Sequence, residues 1–274
     1  MALPNLIIIG AMKCGTSSMH NYLDAHPEIS MSRQKELNFF SFDRHWRRGE
    51  DWYDHQFSST AAIRGESSPS YSKFPKVPHV PERMKTVIPS ARFIYLVRDP
   101  VARIVSHYMH LRDGGREKRS LDDALSQFDG NQYVDCSRYY MQLQQYLDHF
   151  GQSQILVVSA EEMKENRHEI LRRVFRFLNV DESFQSPHHN AIYHASKPHG
   201  PLRRRVERSR LARHIRPYVP RSIVCWAATH GPEQRAVERP SLDSGLREAL
   251  CDYLREDVER FRSQVNQDFA QWLI

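Results

Sequence analysis

Cysteine is scarce in this sequence, and the few cysteines show no pairing. The 274 residues contain four cysteines, at positions 14, 136, 225 and 251, and no two share the short spacing of a disulfide framework. Small secreted domains depend on such frameworks, whereas thiols stay reduced inside the cell. The sequence therefore predicts a reducing compartment, and we expect a cytoplasmic protein.

Long apolar runs are absent as well. No stretch approaches the roughly 18 apolar residues of a membrane-spanning helix, and the mean hydropathy is −0.66. The first residues, Met1-Ala-Leu-Pro, lead directly into a strand-like apolar run, so we expect neither a signal peptide nor a transmembrane segment. The 13 Phe and 12 Tyr nevertheless suffice for a large core.

Metal-ligand spacing and nucleic-acid signatures are also missing. The histidines at positions 188, 189, 194 and 199 have no cysteine or acidic partner at ligand spacing, so we predict no metal site. Residues 203–216 contain seven arginines and the net charge is +6, but no stacking aromatics alternate with them, so we expect no nucleic-acid partner. A solvated helix face explains the arginines. Attraction to an anionic donor, glycan or lipid headgroup is the alternative, which leaves peripheral contact with anionic surfaces open.

Residues 6–17 (LIIIGAMKCGTS) predict a loop that binds a phosphate-like group. Gly10 and Gly15 stand five apart, as in the nucleotide-triphosphatase pattern G-x-x-x-x-G-K-[ST], yet Thr16 follows Gly15 and the lysine lies inside the loop as Lys13. A strand that ends at Ile9 and a helix that begins near Thr16 would direct backbone N–H groups at an anion, and Lys13 adds a positive charge. The displaced lysine argues against metal-bound ATP. The alternative is a purely structural turn.

A second anion-binding pattern follows the strand-like run at residues 93–97. Arg98 comes next, Asp99 suits the cap of a helix, and Pro100 suits its first position. Because open α/β sheets bind ligands at the carboxyl ends of their strands, Arg98 and Ser106 could hold a second phosphate. The alternative is that Arg98 pairs with Asp99 or another nearby carboxylate.

A candidate general base lies between these two patterns. Glu36 follows Lys35 and precedes the aromatic pair Phe39-Phe40. A glutamate beside an apolar wall can gain proton affinity, which suits a general base. The alternative is a surface Glu/Lys pair that leads into a core strand.

In this order the motifs resemble the sulfotransferases that use 3′-phosphoadenosine 5′-phosphosulfate (PAPS). The similarity is greatest to the Golgi heparan-sulfate and carbohydrate sulfotransferases and their bacterial relatives, and it spans nearly the whole chain. The stretches that carry it are 10–16 (GAMKCGT), 35–40 (KELNFF), 52–53 (WY), 65–71 (GESSPSY), 96–106 (LVRDPVARIVS) and 155–162 (ILVVSAEE).

Strand-like and helix-like segments alternate along the chain, which indicates an α/β protein. The resemblance implies a P-loop-containing three-layer fold with a central, mainly parallel sheet flanked by helices. We expect one domain over 1–274, with a nucleotide-binding core at 1–184 and a basic loop with a C-terminal helical cover at 185–274. The proline-rich residues 65–81 are predicted to be mostly loop. Helices are predicted at 161–178, with a buried apolar face, and at 241–263.

The resemblance also implies roles for individual residues, with PAPS as co-substrate and no metal required. The residues expected to contact the donor are Lys13, Cys14, Gly15, Thr16, Ser17, Ser18, Arg98, Ser106 and Lys197. The first six correspond to the loop that holds the 5′-phosphosulfate, the next two to the pair that holds the 3′-phosphate, and the last to a loop that closes over the donor. Lys13 and Glu36 are the expected catalytic residues, with Glu36 as the base.

Two departures from the heparan-sulfate branch lie on the acceptor side. Asn38 stands where that branch often has a histidine, and Ser67 stands where it has a lysine. These changes argue against a heparan acceptor and leave the donor assignment intact. The expected reaction moves a sulfuryl group to a hydroxyl of a carbohydrate, glycolipid or small natural product. The alternatives are a P-loop kinase of a small metabolite and a non-catalytic module that binds nucleotides or sulfated glycans. The sequence predicts no oligomeric state.

Overall fold

A five-stranded sheet forms the centre of the part of the chain that the structure describes. The structure is a computed structural model that describes residues 3–57, 60–191, 193 and 240–274. The strands are β1 (Leu6–Gly10), β2 (Ile29–Met31), β3 (Ile63–Ser67), β4 (Arg92–Val97) and β5 (Ile155–Ser159). Their order across the sheet is β2-β3-β1-β4-β5, and every pairing is parallel.

Helices connect the strands and cover the sheet. Those in the described residues are α1 (Thr16–Asp24), α2 (Asp43–Trp46), α3 (Gly49–Asp54), α4 (Val80–Val87), α5 (Pro100–Asp113), α6 (Leu121–Ala124), α7 (Gln132–Asp135), α8 (Tyr139–Leu147), α9 (Ala160–Glu165), α10 (Arg167–Leu178) and α11 (Ser244–Val265). Short 3₁₀ helices lie at Pro69–Ser72, Gln152–Gln154 and Pro187–Asn190.

The central strands are buried on both faces. Four consecutive β1 residues, from Leu6 to Ile9, have no exposed surface, although their side chains alternate between the faces of the sheet. A strand of this kind needs a helical layer on each side, as parallel sheets do in α/β proteins. The predicted α/β class with a central sheet flanked by helices is therefore confirmed. The sheet is wholly parallel in the described residues, where a mainly parallel one was predicted.

Strand β3 includes only the first three residues of the segment 65–81, and most of that segment lies outside β-strands and α-helices, as predicted. The segment Ile63–Ser67 lies between β2 and β1, and Gly65 pairs with Leu6. Its sequence, IRGES, lacks the apolar run of a central strand. The buried Glu66 is tolerated there because hydroxyl groups of other elements donate hydrogen bonds to its carboxylate. Packing and hydrogen bonding outside the segment thus override the local pattern.

The predicted helix at 161–178 is divided in two at Asn166, whose backbone (φ −125°, ψ 47°) leaves the helical region. The predicted apolar face is confirmed, since all of its members are buried: Ile170, Leu171, Val174, Phe175 and Leu178. The predicted C-terminal helix is α11, which packs against α8 and α5. Asp257 of α11 accepts the backbone N–H groups of Tyr140 and Met141, both at 3.0 Å, so α11 caps the start of α8. Burial raises the pKa of Asp257 to about 6.

Parallel strands bring their carboxyl ends to one edge of the sheet, and the predicted functional segments follow those ends. The loop with Lys13 follows β1, and the Pro69–Ser72 turn follows β3. Arg98 follows β4 directly. The topology therefore places segments that are far apart in sequence along the same edge of the sheet.

Candidate functional site

The loop between β1 and α1 has the backbone shape of an anion cradle. Lys13 (φ 76°) and Gly15 (φ 91°) are left-handed, and Gly15 precedes α1 without a side-chain cap. The loop is fixed to the next strand, because the Ala11 N–H donates to the Leu96 carbonyl at 2.5 Å. Left-handed residues just before a helix point successive backbone N–H groups toward one side of the chain. This arrangement forms a concavity that can bind an anion.

The start of α1 leaves backbone donors for a ligand. The Met19 N–H donates to the Gly15 carbonyl at 3.0 Å, as the first bond of the helical ladder. The N–H groups of Thr16, Ser17 and Ser18 precede that ladder and have no acceptor within the helix. No acidic residue lies in the first turn, so the positive end of the helix is not neutralised there.

Cys14 differs from its predicted role in donor contact. Its backbone N–H donates to the Ala11 carbonyl at 3.2 Å, and its side chain is fully buried. Burial raises the pKa of the thiol to about 11, outweighing the nearby charge of Arg103. Cys14 therefore fills space behind the loop and offers no donor to an anion. Ser18 keeps its backbone N–H, but its hydroxyl donates to the Tyr193 carbonyl at 3.4 Å.

The raised thiol pKa predicts that Cys14 resists alkylation in the folded protein. Only the thiolate reacts, and the buried thiol is both neutral and inaccessible at pH 8. Cys251, which is partly exposed, provides an internal comparison. Iodoacetamide should label Cys251 well before Cys14, as read by peptide mass spectrometry, and urea should abolish the difference. Equal labelling of the two native thiols would contradict the assignment.

Arg98 lies between β4 and α5, and Ser106 lies within α5. The Arg98 side chain is 23% exposed, and its Nε lies 4.0 Å from Oε1 of Glu161, at the limit of an ion pair. Asp99 does not pair with Arg98. It caps α5 by accepting the Ala102 N–H at 2.7 Å, as predicted. Ser106 lies about 9 Å along the helix from its first residue, and its hydroxyl makes no hydrogen bond to the described residues.

Arg103 and His107 are buried beside the loop, and neither is among the residues predicted from the sequence to act in the site. Arg103 has no exposed surface and donates to the Met12 carbonyl at 3.4 Å, to the Ser137 hydroxyl and to the Tyr133 carbonyl. All of these acceptors are neutral, so the guanidinium charge is not cancelled by a hydrogen-bonded carboxylate among the described residues. Burial and the Arg103 charge lower the pKa of His107, which is therefore neutral. The i, i+4 spacing of the two was the only signal in the sequence.

His110 lies on α5 beyond the predicted phosphate-binding serine. This histidine stands one turn beyond Ser106 on α5. Its pKa is lowered to about 4, first by partial burial and then by the positive charge of Lys13. His110 is therefore neutral at physiological pH and adds no positive charge beside Ser106.

Glu36 lies on the surface and not against an apolar wall. Its side chain is 40% exposed, and Oε1 lies 3.4 Å from the Lys35 ammonium. Phe39 and Phe40 are fully buried as expected, and Phe39 stacks on Tyr53 with ring centroids 4.2 Å apart. The aromatic pair thus anchors the segment and leaves Glu36 accessible to a ligand.

Asn38 holds the backbone that carries Glu36. Its φ is 54°, a left-handed conformation that asparagine tolerates better than most residues. Its amide group donates to the Glu36 carbonyl at 3.3 Å and accepts from the Ser70 hydroxyl at 2.5 Å. Its N–H donates to the Ser68 hydroxyl at 3.0 Å. Asn38 is therefore engaged within the protein, which accounts for an asparagine where the heparan-sulfate branch often has a histidine.

Glu66 is the buried end of this network. The carboxylate has no exposed surface and accepts hydrogen bonds from the hydroxyls of Tyr53 (2.7 Å), Tyr71 (2.6 Å) and Ser68 (2.7 Å). Burial raises its pKa, and the three hydroxyl donors oppose that rise. Ser68 therefore links Glu66 to the Asn38 N–H. Glu66 lies within the motif GESSPSY, but no local pattern in the sequence connects it with its hydroxyl donors.

Loss of the Glu66 carboxylate should destabilise the protein. Glu66→Ala would leave three buried hydroxyls without their acceptor, at about 1–3 kcal/mol for each buried group, partly offset by removal of a buried charge. We expect the free energy of unfolding in urea to fall by about 3 kcal/mol. Tyr53→Phe removes one hydrogen bond and should cost only about 1 kcal/mol. Equal effects of the two substitutions would show that the network is not centred on Glu66.

The comparison with known families decides the assignment of the chain. A family model described as "Sulfotransferase domain" matches residues 3–224. The chain belongs to the sulfotransferase family.

Among curated sulfotransferases, human heparan sulfate glucosamine 3-O-sulfotransferase 5 is 30% identical over 190 residues, which are 65% of this chain and 54% of the relative. The Caenorhabditis elegans bifunctional heparan sulfate N-deacetylase/N-sulfotransferase 1 is 24% identical over 196 residues, which are 66% of this chain and 22% of the relative. The chain thus spans about half or less of the length of these relatives.

Two solved sulfotransferases share the fold. A sulfotransferase from Alicyclobacillus acidocaldarius superposes with a TM-score of 0.73 and 26% identity, with 99% of each chain covered. Mouse sulfotransferase SULT7A1, solved as a complex with PAP, superposes with a TM-score of 0.52 and 14% identity, with 92% of this chain and 82% of that chain covered. The first similarity extends over practically the full length of both sulfotransferases.

Metal ligands, membrane-spanning helices and Lys197 can be located only within the residues that the structure describes. Within residues 3–57, 60–191, 193 and 240–274, no group of three or more His, Cys, Asp or Glu side chains could hold a metal ion. In the same residues no helix is long and apolar enough to cross a membrane. Lys197, the ninth residue predicted to contact the donor, lies outside the described residues.

Proposed function

We propose that this protein transfers a sulfuryl group from PAPS to the hydroxyl of a carbohydrate, glycolipid or small natural product. Membership of the sulfotransferase family supports the reaction class. The observation that supports the donor assignment is the group of unbonded backbone N–H groups at residues 16–18, beside Lys13. Arg98 lies at the end of the neighbouring strand β4. A donor with two anionic ends requires two such groups of cations and N–H donors.

The residues present fit this donor. The 5′-phosphosulfate would bind at the start of α1, where N–H groups and a helix end without acidic neighbours favour an anion. Arg98 and Ser106 would hold the 3′-phosphate, because a partly exposed guanidinium and an unbonded hydroxyl can both donate to it. The mouse SULT7A1 complex with PAP supports a nucleotide of this kind in the fold. Neither part of the cradle requires a metal ion.

Glu36 would remove the proton from the acceptor hydroxyl. When bound, the donor supplies an activated sulfuryl group and a phosphate leaving group. The acceptor oxygen forms a bond to sulfur, the bond from sulfur to the phosphate oxygen breaks, and the hydroxyl proton goes to the Glu36 carboxylate. Lys13 and the adjacent N–H groups would stabilise the charge that develops on the phosphate oxygen. The exposure of Glu36 supports this role, since an acceptor can reach it.

The acceptor assignment rests on two residues of the site. The side-chain amide of Asn38 is hydrogen-bonded to the Glu36 carbonyl and the Ser70 hydroxyl. Ser67 is 1% exposed. Neither side chain offers a charge to a polyanionic glycan, which supports an acceptor other than heparan sulfate. The cytoplasmic location and the single domain with its division at residue 184 stay predictions.

A thermal-shift series with nucleotides tests the donor. The product adenosine 3′,5′-bisphosphate (PAP) should raise the unfolding temperature without magnesium, because the cradle is built from N–H groups and cations. Stabilisation by ATP only with magnesium would indicate a kinase instead. Turnover is then measured by mass spectrometry with PAPS and a pool of hydroxylated acceptors. Binding of PAP without any sulfated product would indicate a non-catalytic binding module.

A further inference from the structure

Lys73 lies beside the anion loop, although the loop sequence does not include it. It follows the 3₁₀ helix Pro69–Ser72, which continues from the carboxyl end of β3. Ser72 packs directly on the first residue of the loop, since a Cβ on Gly10 would lie 1.9 Å from the Ser72 hydroxyl oxygen. The backbone of Lys73 therefore begins next to the loop that carries Lys13.

The backbone around Lys73 is fixed by the core. The Phe74 N–H donates to Oε1 of Gln142 at 2.9 Å, and Nε2 of Gln142 donates to the Phe74 carbonyl at 2.7 Å. Gln142 belongs to α8 and is 1% exposed. The Lys73 carbonyl accepts the Val77 N–H at 2.9 Å. A side chain on such a backbone starts from a defined position, as a ligand-binding group requires.

The Lys73 ammonium is half-buried without a partner in the described part of the chain. It makes no hydrogen bond and no ion pair to residues 3–57, 60–191, 193 or 240–274. Burial lowers the pKa of Lys73; Cys136 and then Glu36 oppose that change, and the charge of Arg103 adds to it. Burying an ammonium without a hydrogen-bonded anion costs free energy, so such a group commonly marks a place for an anionic ligand.

The turn that carries Lys73 contacts both of the segments proposed to act on the substrates. On one side Ser72 packs on Gly10, and β1 pairs with β3, so the turn lies beside the loop that carries Lys13. On the other side Ser70 donates to Asn38 at 2.5 Å, two residues from Glu36. Lys73 thus follows a turn that is bonded to the segment of Glu36 and packed on the loop of Lys13.

We propose that Lys73 contacts the sulfuryl group of the bound donor, as a second lysine of the site beside Lys13. The proposal rests on the proposed function, because it needs a group in transit between the loop and Glu36. The anionic sulfuryl oxygens would give the half-buried ammonium the partner that it lacks. Lys76, three residues on, is an unsuitable candidate because it is exposed and donates to Gln132.

Binding of PAPS and of PAP isolates this contact, since PAP lacks only the sulfuryl group. Both dissociation constants are measured by calorimetry, without acceptor or magnesium, for the wild-type chain, Lys73→Met and Lys76→Met. Lys73→Met should lower the preference for PAPS over PAP by about tenfold, as expected for one charge-assisted hydrogen bond, and leave PAP binding unchanged. Lys76→Met should match the wild type.

The outcomes separate this proposal from the proposed function. If the wild type binds both nucleotides but Lys73→Met keeps the wild-type preference, or weakens both nucleotides equally, Lys73 does not contact the sulfuryl group. If the wild type binds neither, the proposed function fails and this proposal fails with it. Unfolding temperature is the second readout. Lys73→Met should unfold at the wild-type temperature or above, because an unpaired buried charge is removed, whereas a marked fall would assign Lys73 a structural role.

Discussion

Replacing Lys13 by alanine is expected to lower the turnover of sulfuryl transfer by about a hundredfold or more, which corresponds to about 3 kcal/mol of transition-state stabilisation. The reason is the position of the residue. Its left-handed backbone places it inside the loop, next to the N–H groups at the start of α1. A cation there acts on charge that develops as the phosphate oxygen departs. Initial rates with PAPS and an acceptor from the pool measure the effect.

Comparing the effect of the substitution on PAP binding with its effect on turnover distinguishes stabilisation of the leaving oxygen from simple attraction of the anionic donor. If Lys13 acts mainly on the leaving oxygen, the dissociation constant of PAP should change less than the turnover number. Lys164→Ala, an exposed lysine on α9, is the control for loss of one positive charge and should keep wild-type rates. Equal losses in PAP affinity and in kcat/KM with an unchanged kcat would assign Lys13 to donor binding alone.

Glu36→Gln is expected to abolish most turnover while donor binding stays nearly intact. Removal of a general base typically costs about a hundredfold to ten-thousandfold in rate. Glutamine keeps the size of the side chain but cannot accept the proton. Donor binding should survive, because the segment with Glu36 is anchored by Phe39 and Asn38 and is separate from the loop with Lys13. Calorimetry with PAP and rates with PAPS give the two quantities.

The control for this substitution is Glu50→Gln, an exposed glutamate at the start of α3 that also removes one negative charge. It should leave both PAP binding and turnover unchanged. Near wild-type turnover in Glu36→Gln would show that another group accepts the acceptor proton. Loss of PAP binding in the same variant would show instead that Glu36 supports the donor site.

Local patterns in the sequence were sufficient to predict the loop after β1 and the junction between β4 and α5. An apolar run followed by Gly10, Lys13 and Gly15 predicts a strand, a turn and a helix from neighbouring residues alone, and the structure has all of these. The cap of α5 by Asp99 was predictable for the same reason, since the donor N–H belongs to Ala102, only three residues on.

Properties that depend on distant neighbours were not predictable in this way. Strand β3 has no apolar run that would predict it, since Gly65 and Glu66 interrupt the pattern, and the hydroxyls of Tyr53, Tyr71 and Ser68 make a buried carboxylate tolerable there. Cys14 was assigned to donor contact because it lies within the loop motif. Its burial comes from neighbours on other elements, including Tyr139 of α8, whose hydroxyl oxygen lies 3.8 Å from the thiol sulfur.

The sequence by itself determined that two of the residues proposed to bind the donor follow strand ends: Lys13 after β1 and Arg98 after β4. Only the tertiary structure decided which of these and other residues share one space, because a parallel sheet aligns the carboxyl ends of strands that are far apart in the chain. For that reason Glu66 pairs with Ile7 of β1, and the turn that carries Lys73 packs on Gly10. Burial decides their properties, and burial depends on the whole assembly of helices around the sheet and not on any short stretch of residues.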